Sequence, residues 1–265
     1  MKIRTRPPAV AGMFYPADAN VLSQQVDTML AQASCTVAIR PKALIVPHAG
    51  YIYSGSIAAS AYTLLQEMEH IRRVVLLGPV HRVPVSGLAL PEADSFSTPL
   101  GDIPLDQEAM ESIAQLPQVI WSEAAHAMEH SLEVHLPFLQ RVLGEFQLVP
   151  LAVGDASPED VAGVLDVLWG DDKTLIVISS DLSHYLPYQQ AQQVDRVTAD
   201  NILAKQWPIS HEQACGATPI NGLLATADKH ELTPHLLDLR NSGDTAGDKQ
   251  QVVGYGAFAF DEKNG

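Results

Sequence analysis

Residues 44–55 read LIVPHAGYIYSG. The apolar run from Ala43 to Val46 has the length and branched content of a buried strand, and Pro47 stops it. His48 comes next, followed by two small residues, Ala49 and Gly50. In an α/β sheet, loops leaving the carboxyl ends of parallel strands open into the crevice where ligands bind. One histidine at a strand end is more often a hydrogen-bonded loop residue than a ligand, so this position gains meaning only from its company.

That company comes from two further apolar runs. Residues 73–77 lead into Gly78-Pro79-Val80-His81, and residues 174–179 lead into Ser180-Asp181-Leu182-Ser183-His184-Tyr185. If the three runs are neighbouring parallel strands, His48, His81, Asp181 and His184 meet at one edge of the sheet. Neutral imidazole is the commonest metal ligand, and its second ring nitrogen needs an orienting partner. The convergence therefore predicts a metal site.

Outward from these runs, the chain alternates apolar and amphipathic stretches. Strands are predicted at 43–46, 73–77, 146–149, 174–179 and 252–260, with helices at 21–32, 55–68, 106–114, 132–143, 158–168, 188–205 and 220–229. Ser157, Pro158, Glu159 and Asp160 form a helix start, with a cap, a proline in the first turn and acids against the dipole. Residues 241–251 read as a polar surface loop. The pattern predicts a single α/β domain over 1–265, with a central, largely parallel or mixed sheet flanked by helices.

The composition narrows the function. With 265 residues, 46% of them hydrophobic, the chain can bury a substantial core. Lys and Arg number 16 against 31 Asp and Glu, a net charge of −15 that disfavours nucleic acids and anionic membranes. The start, MKIRTRPPAVAGMFYP, is broken by Pro7, Pro8 and Pro16 and does not read as a signal peptide. No window approaches the roughly 18 apolar residues of a membrane span. A cytoplasmic location is expected. Cys35 and Cys215 could form one disulfide in principle, but free thiols are the expectation in a reducing compartment.

The segment EHSLEVH, residues 129–135, invites comparison with the zinc-protease motif H-E-x-x-H. Its spacing differs: on a helix His130 and His135 lie about 140 degrees apart and cannot grip one ion, whereas Glu129 and Glu133 share a face. Two expectations stay open, a helix start with Leu132, Leu136 and Leu139 toward the core, or a pocket lined by His130 and Glu133. Cys215 precedes a predicted helix, where amide groups and the dipole favour a thiolate; the alternative is a small buried hydrophobe, which also suits Cys35.

The ordered set of motifs resembles the Memo-like proteins nearly end to end. It comprises PAVAGMFYP at 8–16, PHAGY at 47–51, GPVH at 78–81, TPLG at 98–101, EHSLE at 129–133, SSDLSHY at 179–185, Cys215-Gly216 and GYGA at 254–257. The resemblance implies a fold like that of class III extradiol dioxygenases, whose pocket holds non-haem iron on two histidines and a carboxylate. It implies that His48, His81 and Cys215 are the metal ligands, with a thiolate where those enzymes use glutamate. His184 then stands where they have an acid/base histidine, with Asp181 beside it as a second catalytic residue. Tyr51 and Ser180, inside the same motifs, join His130 and Glu133 as candidates to line the pocket or orient the ligands. Val80 departs from the small polar residue that many relatives carry in G-P-x-H.

Fe(II) is the first expectation for the ion. A soft thiolate also suits copper or zinc. The implied activity is a metal-dependent, dioxygenase-like oxidoreductase acting on an unknown small molecule. The alternative is a non-catalytic metal- or ligand-binding partner of an AMMECR1-like protein and a radical SAM protein, which bacterial and archaeal relatives often have encoded beside them. Metal-assisted hydrolysis is a third reading.

Overall fold

The structure is a computed structural model that describes residues 4–33 and 37–262, so Cys35 lies outside the described residues. A short strand, Thr5–Arg6 (β1), and helix Ala19–Gln32 (α1) precede the first apolar run, Ala43–Val46 (β2). Asp18 caps α1 by accepting from the amides of Asn20 and Val21, so the helix begins three residues before its buried face, Leu22, Val26 and Leu30. A single π-helical turn, Tyr51–Gly55, leads into helix Ser56–Tyr62 (α2), and the second run, Arg73–Pro79 (β3), follows.

Next come Leu88–Leu90 (β4), Ser95–Thr98 (β5), Gly101–Pro104 (β6), helix Gln107–Ile113 (α3), Val119–Trp121 (β7) and helix Glu123–Ala127 (α4). Helix Leu136–Val142 (α5), strand Gln147–Val153 (β8), helix Pro158–Leu168 (α6) and the third run, Thr174–Ser179 (β9), complete the central alternation. The chain ends with His184–Leu186 (β10), helices Tyr188–Leu203 (α7) and Ala217–Thr226 (α8), and the antiparallel pair Leu232–Asn241 (β11) and Val252–Glu262 (β12).

At the centre of the main sheet, β2, β9, β3 and β8 run parallel in that order. Every residue of β2 and β9 is buried, which is why these strands read as unbroken apolar runs rather than alternating ones. Antiparallel neighbours extend both sides, β12 beside β2 and β4 beside β8. The sheet is therefore mixed, and helices flank it: α2 lies against β2 and β12, α8 against β3 and β9. A small second sheet joins β1, β5 and β6.

The strand predicted at 73–77 runs on to Pro79, the helix at 55–68 gives way after Tyr62 to a 3-10 turn, and the helix at 220–229 is Ala217–Thr226. Two further elements need fuller correction. The helix at 132–143 is a 3-10 turn, Glu133–His135, followed by α5, and residues 129–132 are not helical. Pro137 in the first turn of α5 explains the late start. The strand at 146–149 runs on through Pro150 to Val153. Here β4 pairs only with Ala152 and Val153, so the missing amide of Pro150 costs no bond to that neighbour.

Candidate metal centre

Because β9 lies between β2 and β3, with Val46 opposite Ser179 and Leu77 opposite Ile178, the three strands end together. Their loops carry His48, His81 and residues 180–184 to one place. Cys215 arrives from the turn before α8. That turn can approach because residue 216 is glycine: a Cβ there would sit 2.5 Å from the Ser179 carbonyl oxygen and 2.6 Å from Ser180 Cβ. Gly78 does the same on β3, where a Cβ would meet Ser131 Oγ at 2.8 Å and Leu132 at 2.9 Å.

His48 Nε2 lies 3.4 Å from Cys215 Sγ, and one donor atom each from His48, His81 and Cys215 fall within 4.8 Å of one another. Tetrahedral bonds of about 2.0–2.1 Å to nitrogen and 2.3 Å to sulfur put ligand atoms roughly 3.3–3.7 Å apart. The His48 to Cys215 separation already lies in that range. Both rings are held from behind. His48 Nδ1 is 2.6 Å from Ser179 Oγ, and His81 Nδ1 is 2.8 Å from Glu129 Oε1.

Glu129 is buried and saturated. It also accepts from the amides of His81, His130 and Ser131. Burial opposes its ionisation, yet the hydrogen bond and charge of His81 and these amides hold its pKa down to about 2. A carboxylate on the rear nitrogen of an imidazole is the arrangement that orients metal-bound histidines.

Electrostatics suit a cation more than a proton. Burial pushes His48 well below the usual imidazole range, and the neighbouring histidines add to the effect, so its ring is neutral. Burial pushes the Cys215 thiol up to about 12, helped by the charge of Asp181, despite hydrogen bonds from Asp181, Ser180 and Gly216. The expectation that the helix start would by itself favour a thiolate is therefore corrected: desolvation outweighs the amides. A bound cation reverses that balance, since a coordinating thiol is deprotonated outright. Two imidazoles with oriented rear nitrogens, that of His48 neutral, and one soft sulfur fit a metal ion.

Asp181 is buried, and burial raises its pKa to about 7 although the amides of His48 and Ala49 and the charge of His81 pull it down. Its Oδ1 accepts from the His48 amide at 2.8 Å, and its own amide points at Cys215 Sγ at 3.3 Å. It thus ties the β2 and β9 loops together and caps no helix. His184 hydrogen-bonds the Leu182 carbonyl, and burial lowers its pKa. It feels the charges of His81 and His48 but belongs to neither of the two groups of potential donors among the described residues. Beside it, Tyr185 sits at a register irregularity with β12 and adopts a left-handed backbone, φ 58°, which turns its ring outward, 68% exposed.

Of the four further candidates, the structure brings two to the centre. The His130 ring lies 4.6 Å from His81, tilted, and 5.5 Å from His48, edge-on, and burial lowers its pKa to about 4. Its Nδ1 is 3.3 Å from Glu129 Oε1, without the alignment of a hydrogen bond. Ser180 Oγ donates to the Asp181 carbonyl and accepts from the Gly216 amide, 3.9 Å from Cys215 Sγ. Tyr51 and Glu133 lie elsewhere. The Tyr51 hydroxyl bonds the Val134 carbonyl, with the ring against Tyr15 and Phe138. Glu133 is spent on Arg6, the amides of Ala9 and Val10, and the Tyr15 hydroxyl.

Glu129 and Glu133 therefore do not act on one face: without a helix between them, one turns to His81 and the other to the amino-terminal segment. Glu129, Ser179 and His135 are contributors that the sequence reading missed. The one hint was that residues 124–135 hold no charged side chain besides Glu129 and Glu133, apart from histidines.

The chain belongs to the Memo-like protein family, whose model matches residues 6–259. A MEMO1 family protein of Aquifex aeolicus is 38% identical, with 97% of this chain and 100% of that one aligned. MEMO1 family proteins of Sulfolobus acidocaldarius and Methanopyrus kandleri are 35% and 34% identical, each covering 96% of this chain and 99% and 98% of their own. The crystal structure of an uncharacterised protein from Escherichia coli K12 superposes with a TM-score of 0.52 at 12% identity, covering 83% of this chain and all of the other. That likeness concerns the fold. Among the described residues, no helix is long and apolar enough to cross a membrane.

Proposed function

We propose that this Memo-like protein binds one redox-active metal ion through His48, His81 and Cys215 and oxidises a small organic substrate, with Fe(II) the first candidate and copper the second. The carrying observation is the convergence of three donor atoms, two of them on rings whose rear nitrogens are already engaged. Three protein donors leave coordination positions open. When bound, the ion supplies Lewis acidity and, if iron or copper, a change of oxidation state. The chain's own residues do the rest. Asp181 fixes the backbone beneath His48, His184 is the group placed to take or return a proton, and His130 with Phe14, 4.8 Å apart, walls one side. Protein loaded anaerobically with Fe(II) should consume oxygen in the presence of candidate aromatic diols, and His184→Ala should not. Absence of uptake by fully loaded wild-type protein would sink the oxidoreductase reading.

A second reading is favoured by the surface. Met13, Ile52 and Tyr185, 71%, 64% and 68% exposed, sit on the segments that carry Phe14, His48 and His184. On this reading the face is a docking surface for the AMMECR1-like and radical SAM proteins. Co-purification that survives a His48/His81 double substitution but not Tyr185→Ser would favour docking over catalysis.

A further inference from the structure

Ser179, the last residue of β9, is fully buried, and its Oγ meets three polar atoms. It lies 2.6 Å from the Ser131 carbonyl oxygen, 2.6 Å from His48 Nδ1 and 2.8 Å from His135 Nε2. A hydroxyl has one hydrogen and two lone pairs. The carbonyl oxygen can only accept, so the Ser179 proton goes to Ser131. Both histidine nitrogens must then donate into the two lone pairs.

That assignment propagates in both directions. His135 carries its proton on Nε2, so its Nδ1 is an acceptor, and the Tyr62 hydroxyl donates to it at 2.8 Å. Tyr62 and His135 are as buried as Ser179, where a charged imidazolium without a counter-ion is not sustained. His48 carries its proton on Nδ1, which leaves the Nε2 lone pair bare and directed toward Cys215 Sγ. Ser131 is itself fixed, because its Oγ donates to the Pro79 carbonyl at the end of β3.

We propose that Tyr62, His135 and Ser179 form a positioning chain that locks His48 in its Nδ1–H tautomer and so presents Nε2 as the donor to a metal cation. The inference rests on the metal-binding reading of His48 given above. It assigns His48 a neutral, hydroxyl-based support, in contrast to the carboxylate that supports His81. Each hydrogen on the Tyr62 and Ser179 hydroxyls, His48 Nδ1 and His135 Nε2 has an acceptor, so a tautomer change at either histidine orphans a buried partner.

The test is long-range proton–nitrogen NMR on metal-free, full-length protein labelled at histidine nitrogen, paired with Co(II) titration. Wild type should show His48 protonated at Nδ1 only and His135 at Nε2 only. Ser179→Ala should mix the His48 tautomers and weaken Co(II) binding about tenfold to a hundredfold, the range for loss of an orienting partner. Tyr62→Phe should leave His135 protonated at Nε2, which Ser179 dictates, and weaken Co(II) binding less than Ser179→Ala does. A wild-type His48 protonated at Nε2 overturns the proposal, as does a folded Ser179→Ala protein with unchanged His48 tautomer and Co(II) affinity. If Ser179→Ala does not fold, the wild-type tautomers still decide. Correct tautomers in a protein that takes up no Co(II) support the lock and overturn the metal reading instead.

Discussion

At the residue scale, the proposed function separates His48 and His81, as ligands, from His184, as a carrier of protons. Metal content measured on purified variants checks the division: His48→Ala should lose the ion, whereas His184→Ala should keep it and lose only turnover. Equal loss in both would mean that His184 is a ligand. A second prediction concerns His126, outside both groups of potential metal donors, whose Nε2–H donates to the Ala89 carbonyl and whose Nδ1 has no partner among the described residues. Burial lowers its pKa from 6.5 to about 4. The fold therefore favours the neutral ring: this stabilisation is complete above pH 6.5 and is lost as pH falls toward 4. Its full size is on the order of 3 kcal/mol. Asp181, raised to about 7, contributes with the opposite sign, gaining stability as pH falls, so wild type alone does not isolate His126. In urea unfolding, the stability difference between wild type and His126→Gln should shrink by up to that amount from pH 7.5 to pH 4. A constant difference would contradict it. Residue positions were legible here because strand breakers announce them. Protonation was not, since the state of Cys215 depends on burial and on Asp181, 34 positions away in sequence.

At the element scale, β2, β3 and β9 were readable as unbroken apolar runs, with Pro47 following β2, Ser180 following β9, and β3 running on through Gly78 to Pro79. The strands without such runs were not. β4, β5, β6, β7 and β10 have three or four residues each, too few to show a period, and β11 mixes Pro234, His235, Asp238 and Arg240 among its leucines. Segment 129–135 was misread for a related reason: helical spacing was assumed where hydrogen bonds to distant partners decide the path. Glu133 holds the amino-terminal segment down through Arg6 at 2.5 Å, both side chains being buried. Breaking a buried ion pair on one side costs about 3–5 kcal/mol. Glu133→Gln should lose stability of that order, seen as a lower urea midpoint, while the folded fraction still binds metal. Intact stability with lost metal would instead place Glu133 at the centre.

At the scale of the whole molecule, the fold puts four loops at one sheet edge, and most of the motifs quoted above lie on those loops or on the segments that brace them, whereas TPLG at 98–101 turns between β5 and β6. Metal binding to the folded state alone should stabilise it, by about 2.7 kcal/mol at a hundredfold excess over Kd, visible as a raised Tm that a chelator reverses. The central claim is the three-residue donor set. Anomalous diffraction at the metal edge, on crystals of protein purified without a metal-binding tag, tests it most directly. One peak is expected about 2.0–2.4 Å from His48 Nε2, His81 Nε2 and Cys215 Sγ. A peak bonded to the histidines but not to Cys215, or an ion bound elsewhere with this cluster empty, would contradict it.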